Sequence, residues 1–214
     1  MIVKDRMTKN PYTVNSDASL ADARDLIKRE KVDSLPVVDK KGHLVGLVTE
    51  KDVLYASPSN CTTLDVFEIH TLFAQMTVAD VMNTEPLTLS PDTHVEDAAR
   101  LIQENNVDGV CVTDGELLVG IITESDLLSV FMELFSAHRK GVRATALCPQ
   151  ERGELAKLSN ALYDGGADIL AFCNTRGDDM TKEMVVIKAT GLSIKEMKKI
   201  IKPYVLDIIE VVEL

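Results

Sequence analysis

The chain has 214 residues, a net charge of −11 at neutral pH and a hydrophobic content of 45%. That length and apolar content predict a globular protein with one large domain or two smaller ones, and they exclude a disordered chain. The acidic charge argues against nucleic acid and against an anionic membrane as the main partner, because no basic surplus can neutralise phosphates.

The four cysteines are widely spaced and form neither a C-x-x-C pair nor a zinc-ligand pattern with a histidine. Cys61, Cys111, Cys148 and Cys173 are therefore expected to be reduced thiols, and no metal site is expected. No run of eighteen apolar residues occurs, and the first residues lack the apolar core of a signal peptide. The expected location is the cytoplasm.

The first third of the chain occurs twice. Residues 7 to 39 match the sequence 75 positions further on, and residues 44 to 52 match at an offset of 74. Matched pairs include Met7 and Met82, Pro11 and Pro86, Asp33 and Asp108, Gly46 and Gly120, Thr49 and Thr123, and Asp52 and Asp126. Two such copies normally pack on each other about a pseudo-twofold axis, which creates two related clefts. A binding module is therefore the first hypothesis, ahead of an enzyme.

Each copy predicts the element order β, α, β, β, α. In the first copy an extended piece leads into a helix whose start is marked by Ser19 and Asp22, and in the second copy Thr93 and Glu96 form a better capping box. Apolar runs bounded by Asp and Gly then predict a hairpin of two strands, followed by another helix. These strands are predicted at 34–39 and 43–49, and at 109–114 and 116–123.

The end of the second hairpin strand carries the chemistry of each copy. The pattern is Gly46-Leu-Val-Thr49-Glu-Lys-Asp52 in the first copy and Gly120-Ile-Ile-Thr123-Glu-Ser-Asp126 in the second. Glycine lets another backbone or a ligand approach closely, threonine presents a hydroxyl beside the amides of a helix N-terminus, and aspartate can accept hydrogen bonds from ribose hydroxyls. The alternative is that threonine and aspartate only cap the helix. Recurrence in both copies favours a ligand.

This pattern, with L-P-V-V-D before it in the first copy, occurs twice in tandem and resembles a pair of CBS domains, also called a Bateman module. The resemblance covers residues 1 to about 134. It implies that AMP, ADP, ATP or S-adenosylmethionine binds as a regulatory ligand between the copies, with no cofactor. It assigns Asp52 and Asp126 to the ribose, and Thr49 and Thr123 to phosphates. The other residues that it implies around the nucleotides are Thr13, Val14, Ser34, Leu35, Pro36, Val37 and Lys51, and Thr88, Leu89, Gly109, Val110, Cys111 and Val112.

The two copies differ in charge. Around the first copy lie Lys4, Arg6, Lys9 and Lys51, whereas the equivalent stretch of the second has Asp80, Asn83 and Glu85. Because phosphates need compensating positive charge, the cleft served by Thr49 and Asp52 is expected to bind a charged nucleotide more tightly. Glu50 and Glu124 disfavour a triphosphate, so AMP, ADP or an adenosine ligand with an uncharged tail is favoured over ATP.

Apolar residues concentrate at 57–76, between the copies, and at 127–138. Such stripes most often close a domain core. The sharper interpretation is a self-association surface. The resemblance favours the latter and implies a homodimer formed through these helices.

From residue 141 the pattern changes to β, α, β, β, α, β, which suggests a ferredoxin-like sandwich. Ser193 and Glu196 predict a capping box for its second helix. This stretch resembles an ACT domain, which implies a dimer contact and a small effector, often an amino acid. A purely structural, dimer-forming role is the alternative. The residues implied for an effector are Gln150, Arg152, Gly153, Gly166, Ala167, Asp168 and Ile169.

The predicted fold class is α+β with α/β-type repeats. A CBS repeat with its connector is expected at 1–76, a second repeat at 77–138 and an ACT-like domain at 141–214. His43, His70, His94 and His138 fall at turns, a connector and helix ends, and no P-loop, dinucleotide fingerprint or H-E-x-x-H motif occurs. We therefore expect no enzymatic activity.

The arrangement as a whole resembles acetoin utilization regulators of the AcuB type. It predicts a sensor that relays nucleotide binding to the ACT-like domain, or to a target protein that the sequence does not name, by population shift. The alternatives are an oligomerisation scaffold without a ligand and an amino-acid-sensing regulator.

Overall fold

The computed structural model describes residues 1–56, 75–176, 179 and 181–214. The chain divides into two compact units, Met1–Leu128 and Ser129–Leu214. Most of the predicted connector at 57–76 lies outside the described residues, as do Cys61 and His70. No helix of the described residues is both long enough and apolar enough to span a membrane.

Both copies in the first unit contain the predicted order of elements. The chain starts with a 3-10 turn, Val3–Asp5, and strand β1, Thr8–Lys9. The first repeat has β2 (Val14–Asn15), α1 (Leu20–Glu30), β3 (Ser34–Val38), β4 (Leu44–Thr49) and α2 (Glu50–Ala56). The second follows a 3-10 turn, Val78–Asp80, and has β5 (Thr88–Leu89), α3 (Val95–Asn105), β6 (Gly109–Asp114), β7 (Leu117–Thr123) and α4 (Glu124–Leu134).

The strands of the first unit form two sheets. One has the order β2-β3-β4, and the other has the order β1-β7-β6-β5. In each repeat the short first strand pairs in parallel with the next strand, which forms an antiparallel hairpin with the one after it. The two sheets are therefore alike except that β1 extends the second one.

Helix α1 shows how the sequence produces the core of a repeat. Leu20, Ala23 and Ile27 recur at helical spacing and are buried together against the β2-β3-β4 sheet. The Oγ of Ser19 accepts a hydrogen bond from the amide of Asp22 at 3.1 Å, which satisfies an amide of the first turn. The predicted start of this helix is confirmed.

The lead-in segments are residues 1–9, which precede the first repeat, and residues 76–84, which precede the second. Each lead-in segment packs on the other repeat, so that 1–9 lie on the second repeat and 76–84 lie on the first. Val3 is completely buried in the core of the second repeat, and Val78 is completely buried in the core of the first. Each core is thus completed by a side chain from the lead-in segment of the other repeat.

Backbone hydrogen bonds hold both lead-in segments in these positions. The amide of Val3 donates to the carbonyl of Thr93 at 2.8 Å, and the amide of Leu20 donates to the carbonyl of Met76 at 2.9 Å. Strand β1 pairs with β7 at the edge of the four-stranded sheet. The exchange therefore involves main chain as well as side chains.

The predicted Thr93–Glu96 capping box is wrong, because the helix begins one residue later than that box requires. The N-cap of α3 is His94, whose side chain makes no capping hydrogen bond. The amide of Val95 donates to the carbonyl of Met1 at 3.2 Å. Because the lead-in segment binds the backbone on both sides of His94, the start of the helix is fixed without a side-chain cap.

The second unit has the element order β, α, β, β, α, β. Its strands form one antiparallel sheet in the order β11-β8-β10-β9. One face carries the core, which includes Leu158 and Met197 from the helices. The predicted Ser193–Glu196 capping box is confirmed. The elements are β8 (Val142–Pro149), α5 (Glu154–Asp164), β9 (Asp168–Arg176), β10 (Lys182–Thr190), α6 (Ile194–Ile201) and β11 (Asp207–Glu213).

Candidate functional site

The Thr-x-x-Asp motif forms a capping box at the junction of strand and helix in each repeat. In the first repeat, the amide and the hydroxyl of Thr49 donate to Oδ2 of Asp52 at 2.8 and 2.7 Å. In the second repeat, the same groups of Thr123 donate to Oδ2 of Asp126 at 2.9 and 2.8 Å. The amide of each aspartate donates back to the threonine hydroxyl oxygen. One carboxylate oxygen of each aspartate thus accepts hydrogen bonds from the amide and the hydroxyl of the threonine, and the carboxylate is held in one orientation.

The glycine of each motif makes room for a lead-in segment. A Cβ atom on Gly46 would lie 2.7 Å from Sδ of Met82, and one on Gly120 would lie 2.5 Å from Sδ of Met7. Backbone oxygens of the same segments would be 2.9 and 3.0 Å away. Of the two uses predicted for this glycine, close approach of another backbone is therefore the one observed, and it links the repeated methionine to the repeated glycine.

A cleft of about 300 Å³ contains Asp126 and is called the Asp126 cleft. One wall comes from residues 10–12 and 31–34 of the first repeat, and the other comes from β1, β7, the start of α4 and Asp108. Oδ1 of Asp126, which the capping box does not use, lies 3.5 Å from the hydroxyl of Thr8. The lining residues are Thr8, Asn10, Pro11, Tyr12, Lys31, Val32, Asp33, Ser34, Asp108, Ile121, Thr123, Ser125 and Asp126.

Tyr12 gives this cleft an aromatic surface. Its side chain is half exposed, and its hydrogen bond to Glu30 raises the pKa of the phenol. Ile121 and Pro11 add apolar surface to the same cleft. A flat ring with a polar edge, such as a nucleobase, is matched by this combination of an aromatic face and aliphatic groups.

A second cavity of about 260 Å³, called the central cavity, shares lining residues with the Asp126 cleft. The shared residues are Asp33, Asp108, Thr123 and Ser125, and the central cavity adds Glu50, Lys51 and Glu124. Nζ of Lys51 lies 3.0 Å from Oδ2 of Asp108, and this hydrogen bond raises the pKa of Lys51. The cavity is therefore acidic, with one ion pair across the two repeats.

The structure brings part of the predicted nucleotide set together. Ser34, Thr123 and Asp126 line the Asp126 cleft, and Lys51 lines the central cavity with Thr123. Thr49 and Asp52 form their capping box but line neither of these two cavities.

Most of the other predicted residues lie in strands. Leu35, Val37, Val110 and Val112 are completely buried in the cores of the repeats, so these residues present no exposed surface to a ligand. Pro36, Gly109 and Cys111 are also buried, Val14 and Leu89 are partly buried, and Thr13 and Thr88 are exposed. Burial raises the pKa of the Cys111 thiol to about 12.

The basic residues of the first lead-in segment do not lie where the sequence order suggested. Lys4 pairs with Asp92 at 2.8 Å, and Lys9 lies opposite Gly120 in the sheet of the second repeat. The expectation that the cleft of Thr49 and Asp52 has the extra positive charge is therefore wrong for these two lysines, because the segment packs on the other repeat. Lys31 adds a further positive charge to the Asp126 cleft.

Sequence reasoning missed several residues of the Asp126 cleft, above all Thr8, Tyr12, Lys31 and Ile121. Their positions are unremarkable within one repeat. They meet Asp126 because the cleft combines a wall of the first repeat with the carboxylate of the second. The repeated Pro11 and Asp33 were visible signals of this wall, since both have a counterpart in the second copy.

The predicted effector residues of the second unit fall into two groups at opposite ends of its sheet. Gln150 and its neighbours Arg152 and Gly153 follow β8, and the amide of Gln150 donates to the carbonyl of Thr181 just before β10. Gly166, Ala167, Asp168 and Ile169 lie at the start of β9, where Asp168 is opposite Thr190 at the end of β10. The length of β10 separates the groups by about 25 Å. Within one chain they do not form one site.

No group of three or more His, Cys, Asp or Glu residues in the described ranges is arranged to hold a metal ion.

Comparison with protein families gives the class of the chain. The CBS domain model matches residues 3–59 and 78–133, which is more than half of the chain. The protein belongs to the CBS domain family and has a tandem pair of these domains.

Individual proteins are also similar to this chain. An inosine-5'-monophosphate dehydrogenase from Nitrosopumilus maritimus is 28% identical over 77% of this chain, which spans only 32% of the dehydrogenase. A CBS domain-containing protein from Dictyostelium discoideum is 31% identical over 63% of this chain and 93% of its own length.

Solved structures are similar to part of this chain as well. A Vibrio cholerae protein assigned to acetoin utilization (AcuB) is 27% identical with a TM-score of 0.55, covering 64% of this chain and 95% of that one. CBSX2 from Arabidopsis thaliana, solved in complex with AMP, is 32% identical with a TM-score of 0.52, covering 64% and 98%. The CBS pair of protein MJ0100, solved with 5'-methylthioadenosine and S-adenosylmethionine, is 28% identical with a TM-score of 0.51, covering 61% and 95%.

Proposed function

We propose that the protein is a non-catalytic sensor that binds an adenosine ligand in the Asp126 cleft. The observation that carries this proposal is the orientation of Asp126, whose Oδ2 is held by the capping box while Oδ1 is on the side of Thr8 and the cleft. A carboxylate held in this way can accept hydrogen bonds from the two ribose hydroxyls. The adenosine compounds bound by CBSX2 and by MJ0100 support the choice of ligand.

The rest of the cleft suits the other parts of such a ligand. Tyr12 and Ile121 offer surfaces for the adenine ring. The 5' substituent then lies towards the central cavity, since Asp108 and Ser125 line both spaces.

The charge of the central cavity limits the 5' substituent. Asp33, Glu50, Asp108 and Glu124 face one lysine, Lys51, among its lining residues. Each additional phosphate brings further negative charge towards these carboxylates, and such repulsion weakens binding. A monophosphate is therefore preferred over ADP, and ADP over ATP, while a cationic sulfonium such as S-adenosylmethionine is tolerated.

Calorimetric titration of the purified chain with AMP, ADP, ATP and S-adenosylmethionine tests this proposal. We expect AMP to bind more tightly than ATP. Asp126→Asn should weaken AMP by at least tenfold, since hydrogen bonds to a charged group are lost, while the matched variant Asp52→Asn should leave this site nearly unchanged. Equal losses in both variants would contradict the assignment to the Asp126 cleft, and an absence of any binding would leave a scaffold as the function.

Self-association is a second proposed property, and exposed apolar side chains favour it. Leu54 on α2 and Leu128 on α4 occupy equivalent positions in the two repeats and are 68% and 59% exposed. Phe131 and Leu134 continue the exposed apolar surface along α4. Surfaces of this kind are commonly buried between subunits. We propose a homodimer through these helices, which sedimentation of wild type and Leu54→Glu/Leu128→Glu would test.

We further propose that the second unit is an ACT-like domain that receives the ligand-dependent change and passes it to a target protein. Its βαββαβ order and its four-stranded antiparallel sheet support this. The separation of its candidate effector residues means that an amino-acid effector would need two copies of the chain. The similarity to AcuB supports a role in acetoin metabolism, which deletion of the gene and growth on acetoin would test.

A further inference from the structure

Lys51 makes a contact between the repeats that its counterpart cannot make. Its Nζ lies 3.0 Å from Oδ2 and 3.4 Å from Oδ1 of Asp108. The equivalent position in the second repeat is Ser125, which has no charge, and the residue equivalent to Asp108 is Asp33. The ion pair therefore breaks the pseudo-twofold symmetry of the central cavity.

The position of the pair relates it to the ligand. Asp108 lines both the Asp126 cleft and the central cavity. Among the described residues that line the central cavity, Lys51 is the only basic one. A 5' phosphate that enters this cavity from the Asp126 cleft has Lys51 as its one cationic partner there.

The pair can be exchanged at small energetic expense. The side chain of Lys51 is 69% exposed and that of Asp108 is 45% exposed. Ion pairs as exposed as this contribute little to stability, whereas a phosphate offers several strong acceptor oxygens to an ammonium group. Replacement of one anionic partner by another also leaves Lys51 paired.

We infer that Lys51 is the residue that distinguishes anionic from neutral adenosine ligands. The phosphate of a bound monophosphate replaces the Asp108 carboxylate as the partner of the Lys51 ammonium group, and a neutral adenosine leaves the Lys51–Asp108 pair intact. This inference rests on the proposed binding in the Asp126 cleft, and it adds the residue that responds to the charge of the ligand.

Titration with AMP and with adenosine, two ligands that differ only in the phosphate, tests the inference. We expect Lys51→Ser, which copies the residue of the second repeat, to weaken AMP about tenfold and to leave adenosine within about twofold of wild type. Lys51→Arg should restore most of the AMP affinity, because the charge is kept. Lys40→Ser removes an exposed lysine of the β3-β4 turn and is the control for a general change of charge.

Asp108→Asn gives a second and opposite readout. It should strengthen AMP binding in the wild-type background, because the competing carboxylate is removed, and this gain should largely disappear in the Lys51→Ser background. Equal losses of AMP and adenosine in Lys51→Ser, or an unchanged AMP affinity, would overturn the inference while leaving the proposed function in place. If neither ligand binds the wild-type chain, the proposed function itself fails.

Discussion

The two repeats of the first unit share a backbone but differ at the surfaces that a ligand would touch. In both repeats threonine and aspartate form the capping box, and a methionine of a lead-in segment packs against the glycine of the motif. Both repeats also exchange their lead-in segments. In contrast, Tyr12 corresponds to Leu87, Lys31 to Asn106, and Lys51 to Ser125. Residues that fix the fold are thus alike in both copies, whereas some of the residues that line the cavities differ. The surfaces that the two copies contribute to the cavities therefore differ in chemistry.

The largest expected effect concerns the second repeat, in which Cys111 on strand β6 is completely buried. Because burial raises the pKa of Cys111 to about 12, its thiolate fraction at pH 8 is about a thousandfold below that of a thiol with a pKa of 9.0. In the folded protein Cys111 should therefore react slowly with a thiol reagent, and faster as pH rises towards 12, whereas unfolding should restore the reactivity of an ordinary thiol. The measurement is labelling followed by mass spectrometry of the peptide that contains Cys111, because Cys173 is only half-buried. Rapid labelling of Cys111 in folded protein at pH 8 would show that this thiol is accessible.

The next test asks whether the two exchanged lead-in segments contribute equally to the free energy of unfolding. Val3 and Val78 are both completely buried at equivalent positions. Val3→Ala and Val78→Ala should each lower the free energy of unfolding by about 2 kcal/mol, from lost burial and the cavity left behind. Urea denaturation measures both values. A large difference between them would show that one exchange matters more than the other.

Substitutions at the two motif glycines distinguish an effect on the stability of the fold from an effect on the ligand site. Gly46→Ala and Gly120→Ala both force a methionine and a backbone oxygen away, and each should cost about 1.5 kcal/mol. Only Gly120→Ala displaces the segment that carries Thr8 into the Asp126 cleft. AMP affinity should therefore fall in Gly120→Ala and not in Gly46→Ala, as calorimetry on the two folded variants would show.

The smallest expected effect is on the aromatic surface of the cleft. Tyr12→Leu gives the first repeat the residue of the second, and it should weaken AMP about fivefold, because stacking on a base contributes about 1 kcal/mol or more. Tyr12→Phe keeps the ring and is the control. Unchanged affinity in Tyr12→Leu would place the adenine elsewhere.

Local features of the fold could be predicted from the sequence. Hairpins, amphipathic helices, the start of α1 at Ser19 and the box at Ser193 depend on neighbouring residues, and the structure contains all of them. The Thr93 prediction failed because the helix begins one residue later, with His94 as its N-cap. The exchange of the lead-in segments was not predictable, because contacts over about ninety residues leave no local signal.

The candidate site was partly predictable for the same reason. Thr123 and Asp126 belong to one short motif, and its recurrence made them visible. Tyr12 and Lys31 join them only because the cleft is built from both repeats, and the charges on Lys4 and Lys9 were assigned to the wrong side. Chain order is a poor guide to neighbours when the segments that precede two copies change places.

The position of Val3 and Val78 has a practical consequence for dissecting the molecule. The two repeats of this single chain exchange their lead-in segments in the way that two subunits exchange an element in a domain-swapped dimer. A fragment cut between the repeats would keep the valine that fills the core of the other repeat. It would lose the valine that fills its own core. Such a fragment should recover a closed core only by pairing with another fragment or by packing its own lead-in segment on its own core.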